Sequence, residues 1–317
     1  MLADKGQERL TKVFLRENYL LIRSNKLLSY RKLIPVILMA IWQITEVQAS
    51  PLELPISWDK FSSPLITLEF DGKAHSLTLD TGSRTGLHLP KEIANDIKSL
   101  KFTGEKRRST NILGKAKEDS QFIIKNVTIN GEIFRNIEGV EFAPWGVTLS
   151  GKETPPEYPV IGLGFFHDRR LLIDYSRMKL TVIDKDTNLN SWIDPDWVEV
   201  PFQLSDEGLI LTVEVGGKKR DLVLDTGATI SIIKSDRVSN PQDTVSCSSI
   251  YPTLSDEKCA FIPMEVLHSK NKDKIYAMML DNIDASFTKD GLLGGDFFKK
   301  HAVLIDFVQK KLFLRQT

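Results

Sequence analysis

The chain has 317 residues, with 42 Lys or Arg balanced by 42 Asp or Glu, and 41% of its residues are apolar. That length holds two domains of ordinary size, each able to bury a core. The fractions are normal for a globular protein, and the even charge argues against a general nucleic-acid binder.

Residues 1–32 are polar and basic, with eight Lys or Arg against Asp4, Glu8 and Glu17. The apolar run Leu33–Trp42 follows, shorter than the roughly 20 residues a spanning helix needs. Val47-Gln48-Ala49 after it has the small-residue pattern of a signal-peptide cleavage site. The expectation is export to a periplasmic or extracellular space with residues 1–49 removed. Three alternatives stay open: a wrongly chosen start, a retained weak membrane anchor through residues 33–45, or a buried N-terminal helix of the folded domain. Cleavage after Ala49 would leave 34 bases and 38 acids, a net charge of −4, too mild to steer a partner strongly.

Residues 50–184 read as a first lobe. Pro64–Phe70 alternates as a strand does, Asp71-Gly72 signals a hairpin turn, and Ala74–Leu79 returns to end at Asp80-Thr81-Gly82. Alone, that tripeptide is ordinary turn chemistry. Phe122-Ile123-Ile124 and Val127-Thr128-Ile129 read as further short strands, closed by the turn signal Asn130-Gly131. Asn126-Val127-Thr128 is a glycosylation sequon, which matters only in a host that glycosylates exported proteins. Residues 185–197, interrupted by Asn188, Asn190, Asp194 and Pro195, read as a linker. Residues 198–317 form a second lobe, in which Asp221–Leu224 ends at Asp225-Thr226-Gly227.

Cys247 and Cys259 are the only cysteines. In an oxidising compartment they would close a short loop worth about 2–4 kcal/mol; two unpaired thiols are the alternative. Neither they nor the five scattered His have metal-ligand spacing, so no metal is expected. Gly162-Leu163-Gly164 lacks the spacing of a nucleotide-binding loop, and no cofactor is expected. The basic pairs Arg169-Arg170, Lys218-Lys219-Arg220, Lys299-Lys300 and Lys310-Lys311 read as solvated edges.

What changes the weight of the Asp-Thr-Gly turn is repetition. The two copies lie 145 residues apart, and the same shift places Ile66, Leu68, Phe70 and Gly72 on Leu211, Val213, Val215 and Gly217. A second block repeats at a shift of 132. Val160-Ile161-Gly162 falls on Leu292-Leu293-Gly294, Phe165-Phe166 on Phe297-Phe298, and Leu172-Ile173-Asp174 on Leu304-Ile305-Asp306. Two copies of so long a period indicate a duplicated domain rather than a solenoid.

A strand ending in Asp-Thr-Gly, followed much later by two apolar residues and a Gly, resembles the aspartic protease superfamily, which includes two-lobed pepsins and dimeric retropepsins. Each half of this chain carries both motifs, and the resemblance covers about residues 60–317. It implies an all-β fold of two homologous retropepsin-like β-barrel lobes in a pepsin-like bilobal arrangement: a monomer holding an intrachain pseudo-dimer. It implies that Asp80 and Asp225 face each other across the lobe interface as the catalytic pair. Thr81 and Thr226 would bond across that interface, and Gly82 and Gly227 would allow the close backbone approach. Val160-Ile161-Gly162 and Leu292-Leu293-Gly294 would pass behind the active-site loops. Ser109–Gly114 is the stretch placed as a flap hairpin over the cleft, a polar surface hairpin without function being the alternative. Ser83 resembles the pepsin residue that bonds the carboxylate it follows, whereas Ala228 resembles retropepsins and has no hydroxyl. The stretch Ser109–Gly114 departs from pepsins in lacking a tyrosine.

Two close carboxylates cannot both ionise, so one keeps its proton. The ionised partner activates water, and the protonated one polarises the scissile carbonyl and helps protonate the leaving nitrogen. The expected function is therefore an endopeptidase acting on proteins or peptides. A catalytically silent module binding a peptide or envelope component, and an envelope scaffold whose turns are purely structural, stand as alternatives, because a fold alone does not give a function.

Overall fold

Alternation and turn chemistry set the local structure. In Pro64–Phe70 the side chains of Ile66, Leu68 and Phe70 point inward, and Thr67 and Glu69 point out. Asp71 and Gly72 both take positive φ, 48° and 86°, the two-residue turn whose twist matches the strands it joins. The chain returns as Lys73–Asp80. The same geometry at Asn130-Gly131 joins Ala116–Ile129 to Glu132–Glu141, and at Gly216-Gly217 it joins Gly208–Val215 to Lys218–Leu224. The computed structural model describes residues 50–142, 158–239, 244–250, 260–267 and 274–317. The N-terminal segment read as a signal peptide, Cys259 and His268 lie outside them. Among the described residues no helix is long and apolar enough to cross a membrane.

The chain is all-β, and the duplication is visible as topology. The first eight-stranded sheet runs, in spatial order, Ser57–Trp58, Pro64–Phe70, Lys73–Asp80, Val160–Gly162, Leu87–Leu89, Glu132–Glu141, Ala116–Ile129 and Leu100–Thr110. The second repeats that order with Phe202–Ser205, Gly208–Val215, Lys218–Leu224, Gly291–Leu293, Ile232–Lys234, Lys274–Leu280, Ala260–Val266 and Val245–Ser246. There an extra pairing of Val213 with Val266 curls the sheet on itself. The two short strands expected at residues 122–129 are one unbroken 14-residue strand, because Lys125 and Asn126 between them are exposed on opposite faces and leave the ladder to Glu132–Glu141 in register.

A third sheet of six strands joins the lobes. Its order is Leu52–Pro55, Lys179–Asp184, Arg169–Asp174, His301–Asp306, Lys311–Gln316 and Val198–Val200. At its centre Leu172 pairs with Leu304, which is its own counterpart at the repeat shift of 132. The pseudo-twofold axis relating the lobes passes through that pair. Residues 185–197 are less of a free linker than their composition suggests. They contain a 3₁₀ turn at Leu189–Ser191, and Trp197 packs with Leu172, Ile183, Ala302, Leu304 and Phe313, covered by Leu189, Trp192 and Ile193. Apolar side chains between the breakers pin the segment to the sheet.

Arg169-Arg170 corrects the reading of solvated edges: both are buried, at 8% and 4% exposure. Arg170 Nε donates to Asp306 Oδ2 at 2.6 Å, and its Nη1 donates to the carbonyls of Asp184 and Thr187. The second Asp306 oxygen accepts the N–H groups of Val308 and Gln309. A buried carboxylate loses far more when its partner is deleted than the pair contributes net. Arg170→Ala should therefore lower the unfolding free energy by about 3–5 kcal/mol, measured by denaturant titration; a loss below about 1 kcal/mol, the level of a surface pair, would show that Asp306 finds solvent instead.

Candidate active site

Each acidic turn is held from behind by backbone. Lys73–Asp80 runs parallel to Val160–Gly162, with Asp80 opposite Gly162. Lys218–Leu224 runs parallel to Gly291–Leu293, and Asp225 N–H donates to the Leu293 carbonyl at 2.9 Å. The turns then fold over these strands. A Cβ on Gly162 would lie 2.3 Å from the Thr85 carbonyl oxygen, and one on Gly294 would lie 2.4 Å from that of Ile230. Those contacts are too short for any side chain, which is the physical reason for a glycine after two apolar residues in both copies.

Across the lobe interface the two threonines form a closed set of four hydrogen bonds. Thr81 Oγ1 donates to the Leu224 carbonyl at 2.7 Å and accepts the Thr226 N–H at 3.0 Å. Thr226 Oγ1 donates to the Leu79 carbonyl at 2.7 Å and accepts the Thr81 N–H at 3.0 Å. Both threonines are fully buried. The glycines that follow are set against the opposite acid. A Cβ on Gly82 would meet Asp225 Cγ at 2.7 Å, and one on Gly227 would meet Asp80 Cγ at 2.9 Å. The motif at each turn is thus explained by the other turn: threonine locks it, and glycine admits the partner's carboxyl.

Asp80 and Asp225 sit at the bottom of this arrangement, half-buried and hydrogen-bonded to each other. Burial raises the pKa of both above the ordinary carboxylate value. Asp80 is raised the more: after burial, the neighbouring Asp225 charge and the hydrogen bond to it add in the same direction, against the N–H groups of Gly82 and Ser83. For Asp225 the bond from Asp80 acts the other way, joined by the N–H groups of Gly227 at 2.8 Å and Ala228 at 3.3 Å. The pair titrates as a unit, with burial raising the proton affinity of both members.

Two residues behave otherwise than the sequence suggests. The Ser83 hydroxyl is not on the carboxylate it follows. It lies 2.7 Å from His88 Nε2 and 3.4 Å from the Thr85 carbonyl, and only the Ser83 N–H faces Asp80. His88 itself was one of five scattered histidines in the sequence, yet it is buried. The missed signal was its place in the repeat: the shift of 145 sets it on Ile233, a core position.

The hairpin of Leu100–Thr110 and Ala116–Ile129 carries the expected flap segment at its tip. Its turn reaches the second lobe, where Asp284 N–H donates to the Ile112 carbonyl at 2.8 Å. Ile112 packs against the second-lobe cluster beside Ile283 and Phe287. Cys247 is buried and disulfide-bonded; its expected partner lies outside the described residues. Among the described residues no group of His, Cys, Asp and Glu has the geometry to hold a metal ion.

Residues 205–306 match the family model for retroviral aspartyl protease, a stretch that holds Asp225-Thr226-Gly227 and Leu292-Leu293-Gly294. The chain is similar to the aspartic proteinase from Irpex lacteus, with 13% identity, a TM-score of 0.53, and coverage of 84% of this chain and 98% of that one. The chain has the retropepsin- and pepsin-like aspartic proteinase fold. Basic 7S globulin from soybean has the same fold at 9% identity and a TM-score of 0.53, covering 84% of this chain and 95% of its own. No curated protein matches. In this aspartic proteinase fold the threonine lock is the joint between lobes. Thr81→Val or Thr226→Val would keep the shape and orphan one buried N–H and one buried carbonyl, each costing about 1–3 kcal/mol. Calorimetry should show either variant unfolding at lower temperature; an unchanged transition would mean that the lobes are held by the six-stranded sheet alone.

Proposed function

We propose that the chain is an aspartic-type endopeptidase that hydrolyses peptide bonds with Asp225 as general base and Asp80 as general acid. The observation that carries this reading is the dyad itself: two carboxyls brought together from separate lobes and hydrogen-bonded to each other, with burial raising the proton affinity of both. Groups so arranged are suited to acid and base roles in one step. Asp225, holding three backbone N–H groups and the Asp80 proton, is the member kept ionised to take a proton from water. Asp80 donates its proton to the scissile carbonyl oxygen; the proton that Asp225 took from water then passes to the leaving nitrogen, and Asp80 regains one from the gem-diol as the C–N bond breaks. Attack by water needs no covalent intermediate, and no hydroxyl or thiol nucleophile is required beside the pair.

The substrate class is a protein or peptide lying in the interlobe cleft beneath the hairpin tip, so entry requires the contact between Ile112 and Asp284 to part. The working form is a monomer, since one chain supplies both turns. Export to a periplasmic or extracellular compartment, with tethering if residues 1–49 are retained, fits the N-terminal charge and apolar run. A second reading, a silent binding module, draws on the equal fold similarity to a globulin and on the hairpin tip resting on the second lobe.

The test is cleavage of a mixed peptide library by residues 50–317, beside Asp80→Asn and Asp225→Asn, from about pH 3 to about pH 8. Each variant should lose about 10²–10⁴-fold in rate, the usual worth of a positioned acid or base. The wild-type rate should be bell-shaped. It falls at low pH as the dyad takes up a second proton, and at high pH as it loses its last one; with burial raising the proton affinity, the alkaline limb lies above the ordinary carboxylate value. Cleavage retained in either Asn variant would remove the dyad from the chemistry. Peptide binding that survives in both, without cleavage by the wild type, would establish the binding module.

A further inference from the structure

We propose that His88 is a positioning residue for the dyad: by engaging the Ser83 hydroxyl it keeps that hydroxyl off Asp80, and so fixes Asp80 as the member that carries the proton. The inference rests on the dyad reading of the site and extends it to the choice of acid.

The geometry is compact. His88 lies on Leu87–Leu89, between Val140 and Val160 on the neighbouring strands, five residues after Ser83. Its Nε2 is 2.7 Å from Ser83 Oγ. The hydroxyl is committed whichever tautomer the ring adopts. If Nε2 carries hydrogen, it donates to Oγ, and the serine proton is directed at the Thr85 carbonyl at 3.4 Å. If Nε2 is bare, the serine proton goes to it. In both cases the proton has an acceptor other than Asp80, whose backbone donors are the N–H groups of Gly82 and Ser83. A hydroxyl donated to a carboxylate favours the ionised form, so its diversion leaves Asp80 the better proton holder.

The repeat makes the asymmetry specific to this lobe. In the second lobe the position of Ser83 is Ala228 and that of His88 is Ile233, so neither member of the pair exists there. That lobe braces its turn differently, with the Ser231 N–H and hydroxyl both donating to Asp296 Oδ1. The residues at the corresponding first-lobe positions are Gly86 and Gly164, which have no side chains to do so. One turn therefore has a histidine–serine brace and the other a serine–aspartate brace.

His88 is suited to a fixed role rather than a titrating one. It is buried, and its Nδ1 has no hydrogen-bond partner. The charged groups that face it are Lys117 and Arg107 on the flap hairpin, with Lys117 in turn 3.0 Å from the buried Asp119. Burial first, and then those two cations, lower its pKa to about 3, so the ring stays neutral wherever the dyad is singly protonated.

The test uses residues 50–317 with ¹³C-labelled aspartate carboxyls, titrating Asp80 by NMR, which reads its proton affinity with or without catalysis. His88→Leu should free the Ser83 hydroxyl to turn onto Asp80 and lower its pKa by about one unit, the size of a single added hydrogen bond. Ser83→Ala alone should leave Asp80 where it is, and His88→Leu with Ser83→Ala should return it to the wild-type value. His88→Gln, whose amide reaches the same place as Nε2, should keep the wild-type value. The alkaline limb of the kcat/KM–pH profile should follow the same four-way pattern. An Asp80 pKa that rises in Ser83→Ala, or stays put in folded His88→Leu, would overturn the proposal. A wild-type protein that shows the titration pattern but cleaves no peptide would overturn the enzymatic reading and leave the positioning role standing.

Discussion

Two carboxylic acids held against each other under protein cannot both be ionised, and the rest of the molecule is arranged around that constraint. Bringing them together costs desolvation and like-charge repulsion, so something else must hold the turns in place. The four buried hydrogen bonds of Thr81 and Thr226 do this at the active-site end of the interface. At the other end the six-stranded sheet does it, with Leu172 against Leu304 on the pseudo-twofold axis. The Arg170–Asp306 pair is buried beside that axis. Two symmetric joints thus hold the turns that carry the acids, and Gly82 and Gly227 leave only enough room for the opposite carboxyl.

Symmetry builds the site, and departures from symmetry give it direction. A perfectly twofold dyad would have no reason to place its single proton on one side. Here Asp225 is surrounded by more backbone donors than Asp80, and the hydroxyl directly after the first Asp-Thr-Gly, that of Ser83, is tied to His88. Differences of one hydrogen bond are worth on the order of 1 kcal/mol, about one pKa unit, which is enough to bias a shared proton.

Much of this was legible in the sequence because the duplication multiplies weak signals. Asp-Thr-Gly after a strand is common turn chemistry, but two copies at one shift, each with its own apolar-apolar-Gly strand, specify the fold and the pairing of Asp80 with Asp225. The turns at Asp71-Gly72 and Asn130-Gly131 were readable because positive φ at two successive residues demands such residues. What was not legible depends on tertiary partners. Whether a serine hydroxyl turns to its own carboxylate or to a histidine five residues on is decided by which strand stands beside it. Arg169-Arg170 looked like a surface pair because nothing local shows that Asp306, on the adjacent strand from the other lobe, will bind Arg170, or that the Ile133 carbonyl will accept from Arg169. Residues 185–197 carried breakers at the right density for a linker, while the tryptophans between them recorded the packing.

The measurement that bears most directly on the account is neutron diffraction of deuterium-exchanged crystals of residues 50–317 at about pH 5, where an isolated carboxylate is ionised. The account predicts a single deuteron between the two carboxyls, bonded to Asp80 and directed at Asp225, with the Ser83 hydroxyl turned to His88. Bare oxygens on both acids, or a deuteron on Asp225 with the Ser83 hydroxyl directed at Asp80, would contradict it.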